Sequence, residues 1–310
     1  MFLLGLKQRF IYGAVVDLDM GQLRTLAAAV AEGSLEGAAR VLHVTPSAVS
    51  QRLRALEATT GRVLLVRTRP VAVTESGEVV LRLARQVEQL VTDTGTELGI
   101  TESSSAAVVP LAVNADSLAT WVLPALAPLA GVLRLELHHA DQERTAALLR
   151  NGTVAGAVTT QAAPVPGCRS TVLGVMRYRA LATPSLIARW FPDGPRPASL
   201  AQAPVVVFNR DNDLQHVFLR RHAPGAALPT EHRVPSSADF VDAVRLGWGW
   251  GMVPDLQAGD DLETGRLVEL VPGDTDDVVL HWQRWRTGGT ALDHVTTALT
   301  AHAAHTLIPT

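Results

Sequence analysis

The sequence predicts a mixed α/β chain: an N-terminal winged helix-turn-helix, a linker helix, and then two α/β subdomains. Three observations carry that expectation. A polar-faced helix, TPSAVSQRLRALE at residues 45–57, follows a tight turn; apolar residues then recur at alternating spacings of four and three from Val80 to Leu98; and from residue 108 onward strand-like and helix-like runs alternate.

The composition permits this. At 310 residues the chain exceeds one ordinary core, and with 47% hydrophobic and 18% charged residues it is not a disordered segment. The net charge of −3 is uneven, because residues 1–75 hold nine Lys and Arg against six Asp and Glu. A mildly basic head on an acidic body is compatible with nucleic-acid contact by the head. A single cysteine, Cys168 in the loop-like PVPGCRS, excludes an internal disulfide and reads as a small packing residue in a reducing compartment. The apolar start is broken by Lys7, Arg9 and Asp17, so it is not read as a signal peptide, and residues 1–17 are taken as an extension outside the fold. No later run is long and apolar enough to span a membrane, and a cytoplasmic location is expected.

Taken in order, Leu23, Leu26, Ala27 and Val30 form the stripe of a first helix that stops at Gly33. Ser34 caps a second short helix, LEGAARVLH. Thr45 is the N-cap and Pro46 the first residue of a third, with Val49, Leu53 and Leu56 on its inner side. Its outer side is crowded with Ser47, Ser50, Gln51, Arg52 and Arg54. Alone, that is the pattern of any solvated helix; in the order helix, break, helix, tight turn, polar helix, it is the pattern of a helix that enters the major groove. Thr45, Ser47, Ser50, Gln51, Arg52 and Arg54 are therefore the expected DNA contacts, Gln for adenine and Arg for guanine. RVLLVRTRP and VAVT, separated at Pro70, read as a wing that presents Arg67 and Arg69 to phosphates. These elements make up residues 18–75.

Val80, Ala84, Val87, Val91, Thr94 and Leu98 place a heptad seam on a linker helix over residues 76–100, which suits pairing with a second copy of the chain. TESSSAA is a polar linker. VVPLAVN, SLATWVLPALAPLA, VLRLELHHA, QERTAALLRNG and VAGAVTT then read as βαβαβ, and APVVVF, HRVPSS, ADFVDAVRL, GMVP and VVLHWQRWR continue the alternation before a last helix near residues 290–307. The expected subdomains are residues 108–162 with 266–310, and residues 163–265. Trp121 reads as core, and GWGWG as a helix stop and hinge.

The head, GSLEGAARVLHVTPSAVSQRLRALEATTGRVLLVRTRPVAVTESG, closely resembles the DNA-binding domain of the LysR-type transcriptional regulators. LAVNADSLATWVLPALAP, GAV in VAGAVTT, RWFPDG, APVVVF and GMVP resemble the branch of that family that senses basic amino acids, the ArgP/LysG group; GWGWG and NRDNDLQ depart from it. The likeness runs from about residue 18 to the C-terminus. It implies two subdomains resembling periplasmic binding proteins, homodimers that assemble into tetramers, double-stranded promoter DNA and RNA polymerase as partners, and control by lysine, arginine or histidine of genes for amino-acid export or metabolism. No cofactor and no enzymatic activity are expected.

A basic amino acid brings one carboxylate and cationic nitrogens, so its pocket needs donors and acceptors. In NADSLATW a strand runs into a helix, and Asn114, Asp116 and Ser117 with the local amides are expected to meet an anion or an ammonium group. Asp141 follows the next strand, again at a carboxyl end where ligands of α/β sheets bind. Asn209, Asn212 and Asp213 are further candidates. An enzyme is disfavoured, since the chain lacks a P-loop, a G-x-S-x-G and an H-E-x-x-H, and His302 with His305 is a bare pair. A secreted two-lobed binding protein is disfavoured by residues 18–75. A LysR-type regulator of another effector is the nearer alternative.

Overall fold

The computed structural model describes residues 17–66, 68–99, 108–140, 142–210, 212–225 and 229–310. The expected extension through residue 16, the TESSSAA linker, Arg67 and Asp141 lie outside the described residues. The chain divides into two compact units, Met1–Gln89 and Leu90–Thr310.

In the first unit three short helices each begin on a side-chain cap. Asp19 accepts from the Gln22 amide to start α1 (Met20–Ala31), Ser34 from Gly37 to start α2 (Leu35–Val41), and Thr45 from Ala48 to start α3 (Pro46–Thr60). His43 adopts a left-handed φ of 54° in the tight turn before α3, and Gly61, at φ 63°, ends that helix. Leu23, Leu26, Ala38, Val49, Leu53 and Leu56 close one core between the helices. Each buried leucine contributes about 1.5–3 kcal/mol relative to exposure. Glu57 then ties the wing to α3: its Oε1 accepts from the Leu64 amide at 2.8 Å, just before β1 (Leu65–Val66) turns back antiparallel as β2 (Ala72–Val73). Thr74 closes the wing by donating to the Val63 carbonyl and accepting from the Gly77 amide, which caps α4 (Glu75–Glu97). Gly77 is required there because a Cβ would lie 2.0 Å from the Leu64 carbonyl oxygen.

The heptad expected on α4 is used in two ways. Leu81 and Ala84 are buried in the core of the first unit and Val80 packs against it. The apolar residues left exposed are Val79, Leu83, Leu90, Val91 and Leu98. The beginning of the expected seam is thus filled by its own domain, whereas Val91 and Leu98 of the seam stay exposed and are joined there by Val79, Leu83 and Leu90.

The second unit is built on a seven-stranded sheet in which β3 (Val108–Val113) lies between β4 (Arg134–His139) and β5 (Gly156–Thr159), both parallel to it. A helical run follows β3: α5 (Ala115–Ser117), a π turn (Leu118–Val122) and α6 (Leu123–Leu126). Trp121 on that turn is buried, as the sequence suggests. α7 (Gln142–Arg150) follows β4. The sequence did not show the element that joins the rest: β6 (Cys168–Ala182), a 15-residue strand that begins at the cysteine read as loop. Cys168 is buried at its start.

Beyond β6 come α8 (Pro184–Trp190), α9 (Pro197–Leu200), β7 (Val205–Val207), α10 (Leu214–His222), β8 (Glu231–Arg233), α11 (Ser237–Arg245), β9 (Gly251–Pro254), α12 (Asp255–Ala258), α13 (Asp260–Glu263) and β10 (Val268–Glu269). The chain returns along β11 (Thr275–Trp285) and ends in α14 (Thr290–Thr306). β11 pairs with β5 and with nearly the whole of β6, whose later half pairs with β9 and β10. Two long antiparallel strands therefore carry one sheet from the β3–β5 end to the β9–β10 end, and one hydrophobic cluster runs through both ends while a second is confined to residues 181–267. GWGWG does stop a helix, at Gly247 with φ 75°, but its backbone is clamped: a Cβ on Gly249 would meet the Pro204 carbonyl at 2.6 Å, and Trp250 is fully buried. Close packing accounts for Gly249 and Gly251, and the left-handed turn for Gly247.

Candidate functional site

On α3 the two faces separate cleanly. Val49, Leu53 and Leu56 are buried, whereas Ser47, Gln51 and Arg54 are exposed and Ser50 and Arg52 half-buried. Ser50, Gln51, Arg52 and Arg54 make no side-chain hydrogen bond or ion pair with another described residue, so their donors and acceptors are uncommitted by the fold. Thr45 is committed: it caps the helix through the Ala48 amide at 3.2 Å and meets Ser47 Oγ at 2.9 Å. Arg69 is exposed on the wing.

In the second unit, a pocket of about 440 Å³ opens beside the carboxyl ends of β3 and β4. That volume suits a small organic ligand. Asn114 and Asp116 line it from the start of α5, and Asn209, Asn212 and Asp213 from the turn before α10. Ser117 does not join them: its side chain is fully buried, and its Oγ has no hydrogen-bond partner among the described residues. Arg144 on α7, His139 and Tyr178 also line the pocket and were not singled out in the sequence. Arg144 lies on the helix that follows β4, at the same strand end that singled out Asp141; Tyr178 sits within the unrecognised β6, where the alternation Met176-Arg177-Tyr178-Arg179-Ala180 is the signal that marks its inward face.

The pocket carries both signs of charge, Asp116 and Asp213 against Arg144, on a wall that also includes Phe208, Leu214, Val217 and Val278. His139 meets Phe208 edge to face across it at 6.0 Å between ring centres. Asp116 is already engaged: Tyr178 donates its hydroxyl to Oδ2 at 2.7 Å and Ser237 donates to Oδ1 at 2.6 Å. Burial, then the Asp116 charge and its hydrogen bond, push the Tyr178 hydroxyl well above its ordinary pKa, so it remains a protonated donor. Asn209 Oδ1 accepts from the Asn212 amide and Asn212 Oδ1 from the Leu214 amide, which spends these oxygens on the turn. For Asn212 the remaining polar group is the N–H2, a donor suited to a carboxylate and not to an ammonium. Asp213 is exposed and paired with Arg220 at 2.5 Å; Arg220, with His216 a smaller contributor, holds its carboxyl below the ordinary range.

Asn114, which precedes α5, adopts an extended conformation without capping the helix through its side chain, and its Oδ1 is buried without a partner among the described residues. The first amides of the run therefore have no side-chain acceptor, the arrangement in which a helix start receives an anion. The described residues contain no group of three or more His, Cys, Asp or Glu arranged to hold a metal ion, and no described helix is long and apolar enough to cross a membrane.

Comparison with known proteins places both regions. Residues 20–78 match the profile of the bacterial regulatory helix-turn-helix proteins of the lysR family, and residues 106–304 that of the LysR substrate binding domain. The lysine export transcriptional regulatory protein LysG of Corynebacterium efficiens is 42% identical over 280 residues, 89% of this chain and 95% of its own. The crystal structure of ArgP from Mycobacterium tuberculosis is 39% identical and superposes with a TM-score of 0.88 over 95% of this chain and 100% of that one. Full-length LysG of Corynebacterium glutamicum with the bound effector Arg is 38% identical, with a TM-score of 0.83 over 94% of this chain and 100% of that one.

Proposed function

The chain belongs to the LysR family of bacterial helix-turn-helix transcriptional regulators, and we propose that it answers to a basic amino acid, arginine or lysine, bound in the pocket around Asp116. The observation that carries this reading is that one small pocket presents carboxylates, a guanidinium and an apolar wall together. A basic amino acid has the complementary parts: a carboxylate for Arg144, the Asn212 amide and the uncapped start of α5; an aliphatic stem for Phe208, Leu214 and Val217; and a cationic end for Asp116 and Asp213. The relative named for lysine export and the one whose structure holds the bound effector Arg support the same ligand class.

DNA is read by the exposed face of α3, with Arg69 on phosphate. Two copies pair through the exposed stripe of α4, where Val79, Leu83, Leu90, Val91 and Leu98 have no other cover among the described residues. The regulator acts on the chromosome in the cytoplasm, and its targets are genes of amino-acid export or metabolism. Physically, the ligand shifts the population of the state it binds better, and its differential affinity sets how far.

Thermal unfolding of the purified chain against each common amino acid tests the effector class. A ligand at a hundred times its Kd stabilises by about 2.7 kcal/mol. A rise in Tm with arginine or lysine supports the reading; equal curves with every amino acid reject it and leave the DNA-binding function untouched.

A further inference from the structure

Asp116 lies where a cationic effector would meet it, yet both of its oxygens are already bonded, and to elements distant in sequence. Ser237 is the first residue of α11, 121 positions away, and is 6% exposed. Tyr178 lies on β6, 62 positions away, and is 3% exposed. The contact between Asp116 and Ser237 joins the helical run after β3, at one end of the sheet, to a helix packed at the other end, against β9. Tyr178 stands between them, on the long strand common to both ends, and pairs with Pro254 of β9. Ser237 Oγ also lies 3.0 Å from Gln257 Oε1. With one proton to give, it donates to the shorter, charged contact.

We propose that Asp116, Tyr178 and Ser237 form a latch across the pocket, in which the carboxylate that meets the effector's cation also holds the two ends of the effector-binding unit together. A carboxylate has about four lone-pair positions, and the two hydroxyls occupy two of them. Both hydroxyls donate to oxygens of this one carboxylate, so the latch and the effector's cation call on the same group. Tyr178 and Ser237 are positioning residues: they fix Asp116 and transmit its state to β6 and α11. Ser237 separates this account from simple ligand contact, because it is not part of the pocket wall. The inference rests on the basic-amino-acid reading for the ligand, while the latch itself is a contact among the chain's own residues.

The test is calorimetric titration of arginine into the full-length wild type and the Asp116→Asn, Ser237→Ala and Asp116→Asn/Ser237→Ala variants, with hydrogen exchange of each free protein. The latch predicts that Ser237→Ala weakens arginine binding about tenfold, within the range of ordinary site-to-site coupling. It also predicts that the same change adds nothing in the Asp116→Asn background, and that both single variants exchange faster at residues 178–181 and across Ser237–Arg245. If Ser237→Ala binds arginine like the wild type while Asp116→Asn does not, Asp116 serves the ligand alone and the latch is overturned. If the wild type binds neither arginine nor lysine, the effector reading fails, and the latch is judged on exchange alone: faster exchange in both single variants sustains it, and unchanged exchange overturns it.

Discussion

The polar face of α3 and the wall of the pocket are both sets of hydrophilic side chains, but the fold uses them oppositely. On α3, Ser50, Gln51, Arg52 and Arg54 have no internal work, and the helix is held by the leucines behind them. In the pocket, Asp116 bonds Tyr178 and Ser237, Asp213 bonds Arg220, and the oxygens of Asn209 and Asn212 hold their own turn. An uncommitted helix face can be revised one residue at a time without touching the fold, whereas a pocket wall bonded in this way cannot.

The contrast is broken or sharpened by substitutions that act on one side of it. The largest effect is expected behind the α3 face: Leu56→Ala empties a fully buried site and should cost about 2–5 kcal/mol of the first unit's stability, read by chemical unfolding. Asp116→Ala comes next. It leaves the buried Tyr178 hydroxyl with only the weak Met176 sulfur acceptor at 3.2 Å and should cost about 1–3 kcal/mol in unfolding free energy as well as effector affinity. Gln51→Ala, by contrast, should change stability by less than about 0.5 kcal/mol and cost about 1–3 kcal/mol of discrimination at one base pair, read by competition between DNA duplexes. If Gln51→Ala destabilised the chain as much as Asp116→Ala, the division between the two surfaces would be wrong.

The smallest effect belongs to an exposed pair on the sheet. Arg177 donates to both oxygens of Asp277 and holds that carboxyl below the ordinary range. Because its folded pKa is depressed, its contribution is present above the usual carboxylate pKa of about 4 and fades as pH falls through the folded value. Asp277→Asn should remove a small part of the acid sensitivity of Tm and nothing at neutral effector binding. An unchanged acid limb would assign that sensitivity to other carboxylates.

The same contrast decides how much could be read from sequence. The α3 face was legible because one helix and its caps supply it: Thr45, Pro46 and Gly61 mark the ends, and the period of Val49, Leu53 and Leu56 fixes which side is out. Asn114 and Asp116 could be named as residues beyond a strand end, a local feature that topology turns into pocket lining. Tyr178 and Ser237 could not be named as partners of Asp116, because they lie 62 and 121 residues away from it; the alternation Met176-Arg177-Tyr178-Arg179-Ala180 marks a strand but not what its tyrosine meets. The heptad on α4 was partly misread for a related reason: Leu81 and Ala84 serve the first unit's core, a demand that helical spacing alone does not reveal.

The most direct test of the account is a pair of calorimetric titrations of the full-length chain, one with arginine and one with citrulline, which keeps the shape and the α-amino acid end but carries a neutral urea group in place of the guanidinium. Hydrogen bonds to charged groups contribute about 1.5–3 kcal/mol, so arginine should bind roughly tenfold to a hundredfold more tightly. Equal binding of the two would show that the pocket around Asp116 does not read the cation, and would contradict the proposal that a basic amino acid is the signal.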